Sequence, residues 1–187
     1  NGCMTQPAEV DGLLDFWFSK QARDRWFDST PEFDEALTRR YLATWQQGRN
    51  GKLQGWEQTP DGALALVILL DQFPLNMFRD QPMSFSTEAQ SRAVASRAID
   101  RGFDAALADD RKAFLYLPFM HSETLADQDR SVELLAAAGL ESNLKWARGH
   151  REIVRRFGRF PHRNAILGRA SSPEELAWLD SPEGFNP

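Results

Sequence analysis

Eight consecutive apolar residues, Ala63-Leu64-Ala65-Leu66-Val67-Ile68-Leu69-Leu70, sit in the first half of the chain, and any fold it adopts has to surround them. The run is far short of the roughly 20 residues that cross a bilayer, so the protein itself must supply the cover. Thr59-Pro60-Asp61 stands in front of it, an N-cap followed by proline at the first helical position. Ala and Leu make up most of the run, and no second strand candidate offers a partner for pairing. The reading is therefore a helix, apolar on every side and wrapped by neighbours, although a buried strand also suits such a run by periodicity alone. Pro74 disfavours helical geometry at Phe73 and predicts the helix end there.

The remaining segments repeat the helical period. Val10, Leu13, Leu14 and Trp17 form one stripe. Thr30-Pro31 opens a second helix whose face carries Phe33, Leu37, Tyr41 and Trp45 up to Gly48, and Arg49-Asn50-Gly51 reads as a turn. Thr87 with Gln90 resembles a capping box ahead of Val94, Ala95, Ala98 and Ile99, with Gly102 as the stop. Short helical pieces are predicted over 104–108 and 111–117. Pro118 is expected to open a helix bearing His121, Leu125, Gln128, Val132 and Leu135, and Trp146, His150, Ile153 and Phe157 give the next stripe. Ser172-Pro173-Glu174-Glu175 is a capping box leading into Leu176, Trp178 and Leu179. About nine helices and no strands follow, an all-α array of antiparallel helical hairpins without a strict repeat period.

At 187 residues without a linker or low-complexity tract, the chain fits one helical domain, 1–187, with 1–8 a frayed or partly vector-derived end. A single cysteine, Cys3, forms no internal disulfide, and residues 1–8 lack the blocks of a secretory signal. The expected address is the cytoplasm, with no membrane association. A net charge of -5 weighs against a general nucleic-acid binder, whose affinity comes from neutralising phosphates.

Against that acidic background, Arg148 to Arg169 holds seven arginines and two of the three histidines with one acid, Glu152. Either these arginines clamp the chain's own carboxylates or they meet an anion. Arg148, Arg151 and Arg155 share a face, and Glu152 with Arg156 makes a favourable helical pair, as Glu123, Asp127 and Arg130 can do beside one another. Three polar residues, His121, Gln128 and His150, fall on apolar stripes, where each requires a partner or an open pocket. Asp71 and Gln72 continue the all-apolar helix, so Asp71 is a buried carboxylate in want of an arginine, either Arg79 or a member of the island; Asn76 can fix the following turn. His121-Ser122-Glu123 and His150-Arg151-Glu152 lack the i, i+4 spacing of helical zinc motifs, and neither a nucleophile elbow nor a glycine-rich phosphate loop is present. No metal and no cofactor is implied.

Leu69 to Arg79 (LLDQFPLNMFR), Phe114 to Glu123 (FLYLPFMHSE) and Arg156 to Arg169 (RFGRFPHRNAILGR) resemble the three signature blocks of the bacterial family catalogued as domain of unknown function 924. With Asp15 to Phe18, Asp127-Gln128 and Ser172 to Glu175, the resemblance covers nearly the whole chain. It implies an all-helical fold similar to tetratricopeptide-repeat superhelices and no established reaction. Asp71, Gln72, Asn76, Arg79, His121, Glu123, His150, His162, Arg163 and Asn164 match the family blocks. Leu75 stands where the family usually carries Arg, which weakens a cationic role for that turn.

The resulting expectation is a concave polar pocket that binds an anionic small molecule, peptide or protein group. Arg159, His162 and Arg163 donate to the anion, Asp71 and Glu123 orient them, and Gln72, Asn76, Arg79, His121, Gln128, His150 and Asn164 complete the lining. The alternative is a hydrolase using His121 or His150 as general base near Glu123 or Asp71, with RNA binding a distant third.

Overall fold

A computed structural model describes residues 6–184. Its helices are α1 (Ala8–Trp17), α2 (Lys20–Arg23), α3 (Pro31–Arg49), α4 (Pro60–Asp71), α5 (Phe73–Met77), α6 (Glu88–Asp100), α7 (Asp109–Met120), α8 (Leu125–Ala137), α9 (Glu141–Phe157), α10 (Asn164–Leu167) and α11 (Pro173–Asp180), joined by turns and short 3₁₀ segments. The described residues contain no strand, and the fold is all-α as expected. Packing groups the chain into two compact units, one holding the described residues through Arg79 with Met83–Pro118, the other Asp80–Pro82 with those from Phe119 onward. Cys3 and most of the 1–8 end lie outside the described residues. Gln6 does not, and it accepts a hydrogen bond from the Thr59 hydroxyl at 2.7 Å.

In the first unit α4 is the axis. Every residue from Gly62 to Asp71 is buried, with α1, α3, α5 and α6 packed around it. Thr59 caps the helix by accepting from the Gly62 N–H at 2.9 Å. Gly62 itself is required by space, because a Cβ there would overlap the Trp56 carbonyl oxygen. Phe73 anchors an aromatic cluster against Trp17 (5.4 Å) and Tyr41 (4.8 Å).

Three local expectations are corrected. The helix end expected at Phe73 lies at Asp71; Phe73 begins α5, whose early position tolerates Pro74 because the first N–H groups of a helix need no partner in it. Thr87 makes no capping bond: its hydroxyl accepts from Trp45 Nε1 and donates to the Leu70 carbonyl at 2.6 Å, while Gln90 reaches back to the Gly48 carbonyl. Tertiary partners take both halves of the expected box. Pro118 does not open a helix either. It sits in the last turn of α7, and the start signal is Thr124, which caps α8 at the Asp127 N–H. His121 therefore lies in the turn before α8, and Leu125 is exposed.

The second unit is built on the α8–α9 hairpin, which turns at Gly139 with φ 70°. Gln128, fully buried, donates to the Met120 and Ser122 carbonyls at 2.8 and 2.7 Å and so ties down the turn that carries His121 and Glu123. Leu144, Ala147, Ile153 and Val154 are the buried residues of α9. The stripe Trp146-His150-Ile153-Phe157 is covered only toward its C-terminal end, where Ile153, Phe157 and Phe160 pack with Trp178 of α11. Trp146, expected inside, is 59% exposed. The capping box of α11 forms as predicted, with both halves present at Ser172 and Glu175.

Candidate functional site

Within the first unit, Asp71 is 1% exposed and accepts from Gln72 Nε2 at 2.8 Å. Arg79 and Asn76 converge on Asp34 in the first turn of α3. Arg79 Nε and Nη2 donate to its two oxygens at 2.8 and 3.2 Å, Asn76 Nδ2 at 2.8 Å, and Ser29 Oγ at 2.6 Å. Burial pushes the Asp34 pKa up, but the donors from Arg79, Ser29 and Asn76 together outweigh it and hold the carboxyl below its usual range. This knot orders the α3 and α5 ends. Four donors already fill the Asp34 oxygens.

In the second unit most of the arginine island meets internal carboxylates. Arg169 donates both Nη atoms to Glu123 (2.9 and 3.0 Å), whose Oε2 also accepts the Phe160 N–H at 2.7 Å. Arg159 makes a fork to Glu175 (2.9 and 2.8 Å) and reaches the Ala170 carbonyl. Asn164 links the two knots, accepting from Arg169 Nε at 2.9 Å and donating to Glu175 at 3.3 Å. Arg151 pairs with Asp129 of α8 at 2.6 Å, and Arg155 rather than Arg156 takes Glu152. Arg163, 7% exposed, donates to the His121 carbonyl at 3.1 Å and lies over the Phe160 ring at 4.9 Å.

The carboxyl pKa values follow from this geometry. Glu123 is raised by burial but lowered more by Arg169 and the Phe160 N–H, for a net decrease. The Arg159 bonds hold Glu175 down to about 2, with the Ser172 N–H and Asn164 helping. Arg159, assigned from the sequence as a donor to an external anion, thus has Nε and Nη2 committed inside the protein. Glu123, assigned to orient Arg159, His162 and Arg163, is held by Arg169 instead. The reason is proximity: the chain reversal at Gly158, with φ 71°, and the capping box bring 159–175 back over the turn at Glu123.

His150 and His162 flank the same ring, Phe160, at 5.7 and 5.5 Å. Burial lowers the His150 pKa to about 4, with the charges of His121 and Arg163 adding to it. His162 also falls to about 4, first through burial and then through Arg163 and His150. His150 Nδ1 lies 2.8 Å from the Trp146 carbonyl, a contact only the protonated nitrogen can make, so the neutral ring keeps its lone pair on Nε2.

His150 also lines a groove of about 430 Å³ along α9, together with Lys145, Trp146, Gly149, Glu152, Ile153, Trp178 and Glu183. Ile153 and Trp178 are its buried apolar part, and the exposed indole of Trp146 is one wall. Such a volume is in the range of small-molecule sites.

Of the residues singled out from the sequence, His121, Glu123, Gln128, His150, Arg159, His162, Arg163 and Asn164 belong to the second unit, and Asp71, Gln72, Asn76 and Arg79 to the first. Sequence reasoning left out Asp34, Glu175, Arg169, Lys145, Gly149 and Trp178 as site members. Glu175 was legible only as half of a capping box and Arg169 only as a member of the island; nothing local marks Asp34 as their counterpart in the first unit.

The chain matches the model of a bacterial family of unknown function, DUF924, over residues 13–183. A solved structure of a protein of unknown function from Agrobacterium tumefaciens is 41% identical, with a TM-score of 0.88, and the match covers 92% of this chain and 97% of that one. No curated protein matches. Matched along almost its full length in sequence and in backbone, the chain belongs to the DUF924 family.

Proposed function

We propose that the protein is a cytoplasmic ligand-binding protein, and that its second unit receives an anionic group of a small molecule or peptide at the groove on α9. The observation that carries this reading is the meeting of Lys145, Trp146 and His150 on one open hollow. The groove combines a buried apolar floor, an exposed indole and a few polar groups, the composition that ligand sites share. The arginines serve it indirectly, by locking 159–175 against Glu123 so that Trp178 and Phe160 back the hollow.

The hydrolase alternative is less well supported, since a general base works best with a pKa near the operating pH and His150 lies at about 4. RNA binding is disfavoured because Arg151, Arg155, Arg159 and Arg169 are paired with acids of the chain.

The test is a titration with 3-phenylpropionate, followed by calorimetry and by the side-chain N–H signal of Trp146 in a nitrogen-15 correlation spectrum. Binding that shifts this signal and is lost in Trp146→Ala supports the reading. Absence of binding by any aromatic carboxylate at millimolar concentration, or binding indifferent to Trp146→Ala, overturns it.

A further inference from the structure

We propose that the α9 groove is selective for a zwitterionic aromatic compound, an aromatic α-amino acid, with the ring lying on the bare helix backbone at Gly149. This deepens the preceding reading and rests on it. Gly149 is exposed in the middle of a 17-residue helix, where glycine is unfavourable, and a Cβ there would meet nothing within 4 Å. The fold therefore places no demand for glycine at this position. What the missing side chain does provide is a flat strip along the helix, one turn after Lys145 and Trp146 and one turn before Ile153. A planar ring fits on that strip against the Trp146 indole.

The charges say what the ring carries. Among the groove's ionisable residues, Glu152 is engaged by Arg155, and neutral His150 is bonded to the Trp146 carbonyl. Lys145 and Glu183 remain, and among the described residues neither side chain has a hydrogen bond or ion pair. One stands on α9 and the other on the turn after α11, so a single small molecule touching both needs a carboxylate for Lys145 and an ammonium for Glu183. A simple anion satisfies only one, and a bare amine only the other. A neutral peptide segment offers an opposite charge to neither.

The experiment compares L-phenylalanine, 3-phenylpropionate, 2-phenylethylamine and N-acetyl-L-phenylalanine amide by calorimetry and by the Trp146 indole N–H shift. L-phenylalanine is expected to bind best, with losses on the order of tenfold for removing either charge, the effect of one charge-assisted hydrogen bond. Glu183→Gln removes the preference over 3-phenylpropionate, and Lys145→Gln the preference over 2-phenylethylamine. Gly149→Ala, which meets no neighbour, melts no lower than the parent but abolishes binding of every probe. If 3-phenylpropionate binds as tightly as L-phenylalanine, or Glu183→Gln leaves the ranking intact, selectivity for a zwitterion is wrong while anion binding at the groove stands. Equal or tighter binding of the acetylated amide overturns this inference in favour of a peptide ligand, and undiminished binding to Gly149→Ala overturns the placement of the ring. If none of the probes binds, both readings fall.

Discussion

Arg159 and Arg169 illustrate how a side chain's role is set by what folds back onto it. Each makes a two-pronged contact with a glutamate, Arg159 with Glu175 and Arg169 with Glu123, and Asn164 bridges the two pairs. Glu175→Gln keeps the shape and removes the charge, leaving Arg159 with a weaker acceptor. It should lower stability by about 1–3 kcal/mol, the range for charged hydrogen bonds, in urea denaturation, whereas a change below a few tenths would show the pair to be idle.

The histidines act at the same scale through pH. His150 and His162 have folded-state pKa values of about 4, below the ordinary 6.5. Between those values the unfolded chain takes up protons that the folded chain refuses, so stability is full above about pH 6.5 and declines toward pH 4. The loss is on the order of 2–3 kcal/mol for each histidine by pH 4. Glu123 and Glu175, whose pKa values are lowered, contribute stability present above about pH 4.5 and lost in stronger acid, so all four groups favour acid unfolding. Denaturation midpoints from pH 8 to 4 should fall, with a shallower slope in His162→Gln. A flat profile from pH 7 to 5 in the parent would contradict the burial of these rings.

At the scale of the element, glycine shows how one residue type serves opposite purposes. Gly62 in α4 faces the Trp56 carbonyl with no room for a methyl group, whereas Gly149 in α9 faces open space. Gly62→Ala should therefore destabilise by about 3 kcal/mol, the upper end for overpacked sites, and Gly149→Ala should stabilise by about 0.5–1 kcal/mol through helix propensity. Paired chemical denaturation curves check the signs; destabilisation by Gly149→Ala would mean that its surroundings are tighter than they look. Helix caps were legible where the cap residue has no better offer. Thr30, Thr59 and Ser172 cap as their sequences indicate, while Thr87 is drawn away by Trp45 and Leu70 from elsewhere in the first unit. Pro118 misled because a proline late in a helix and one at a helix start have the same local spelling, and only Thr124 with its bond to Asp127 marks the true start.

For the whole molecule, the central helix remains the main constraint. Ile68 is fully buried in α4, and Ile68→Ala should cost about 2–5 kcal/mol as lost transfer energy plus a cavity. A loss near 1 kcal/mol in thermal or urea denaturation would show that α4 can collapse around the gap. Among the described residues no helix is long and apolar enough to cross a membrane, which agrees with reading this run as a core rather than a span. The groove was only half legible. His150 was singled out because it interrupts an apolar stripe, yet that stripe predicted Trp146 inside. Periodicity identifies which residues share a face, and it is silent about how far a neighbouring helix covers that face.

What the sequence by itself determined is local and periodic: all-α structure, most helix starts and the buried axis. These follow from spacing, caps and hydrophobicity, which act over one or two turns. Only the tertiary structure decided that Asp34 gathers Arg79 and Asn76, that Glu123 and Glu175 claim Arg169 and Arg159, and that α9 is left bare at Gly149. Ion pairing and burial depend on distances between residues remote in the chain. Charge composition counts the donors and acceptors, but chain reversal chooses among them.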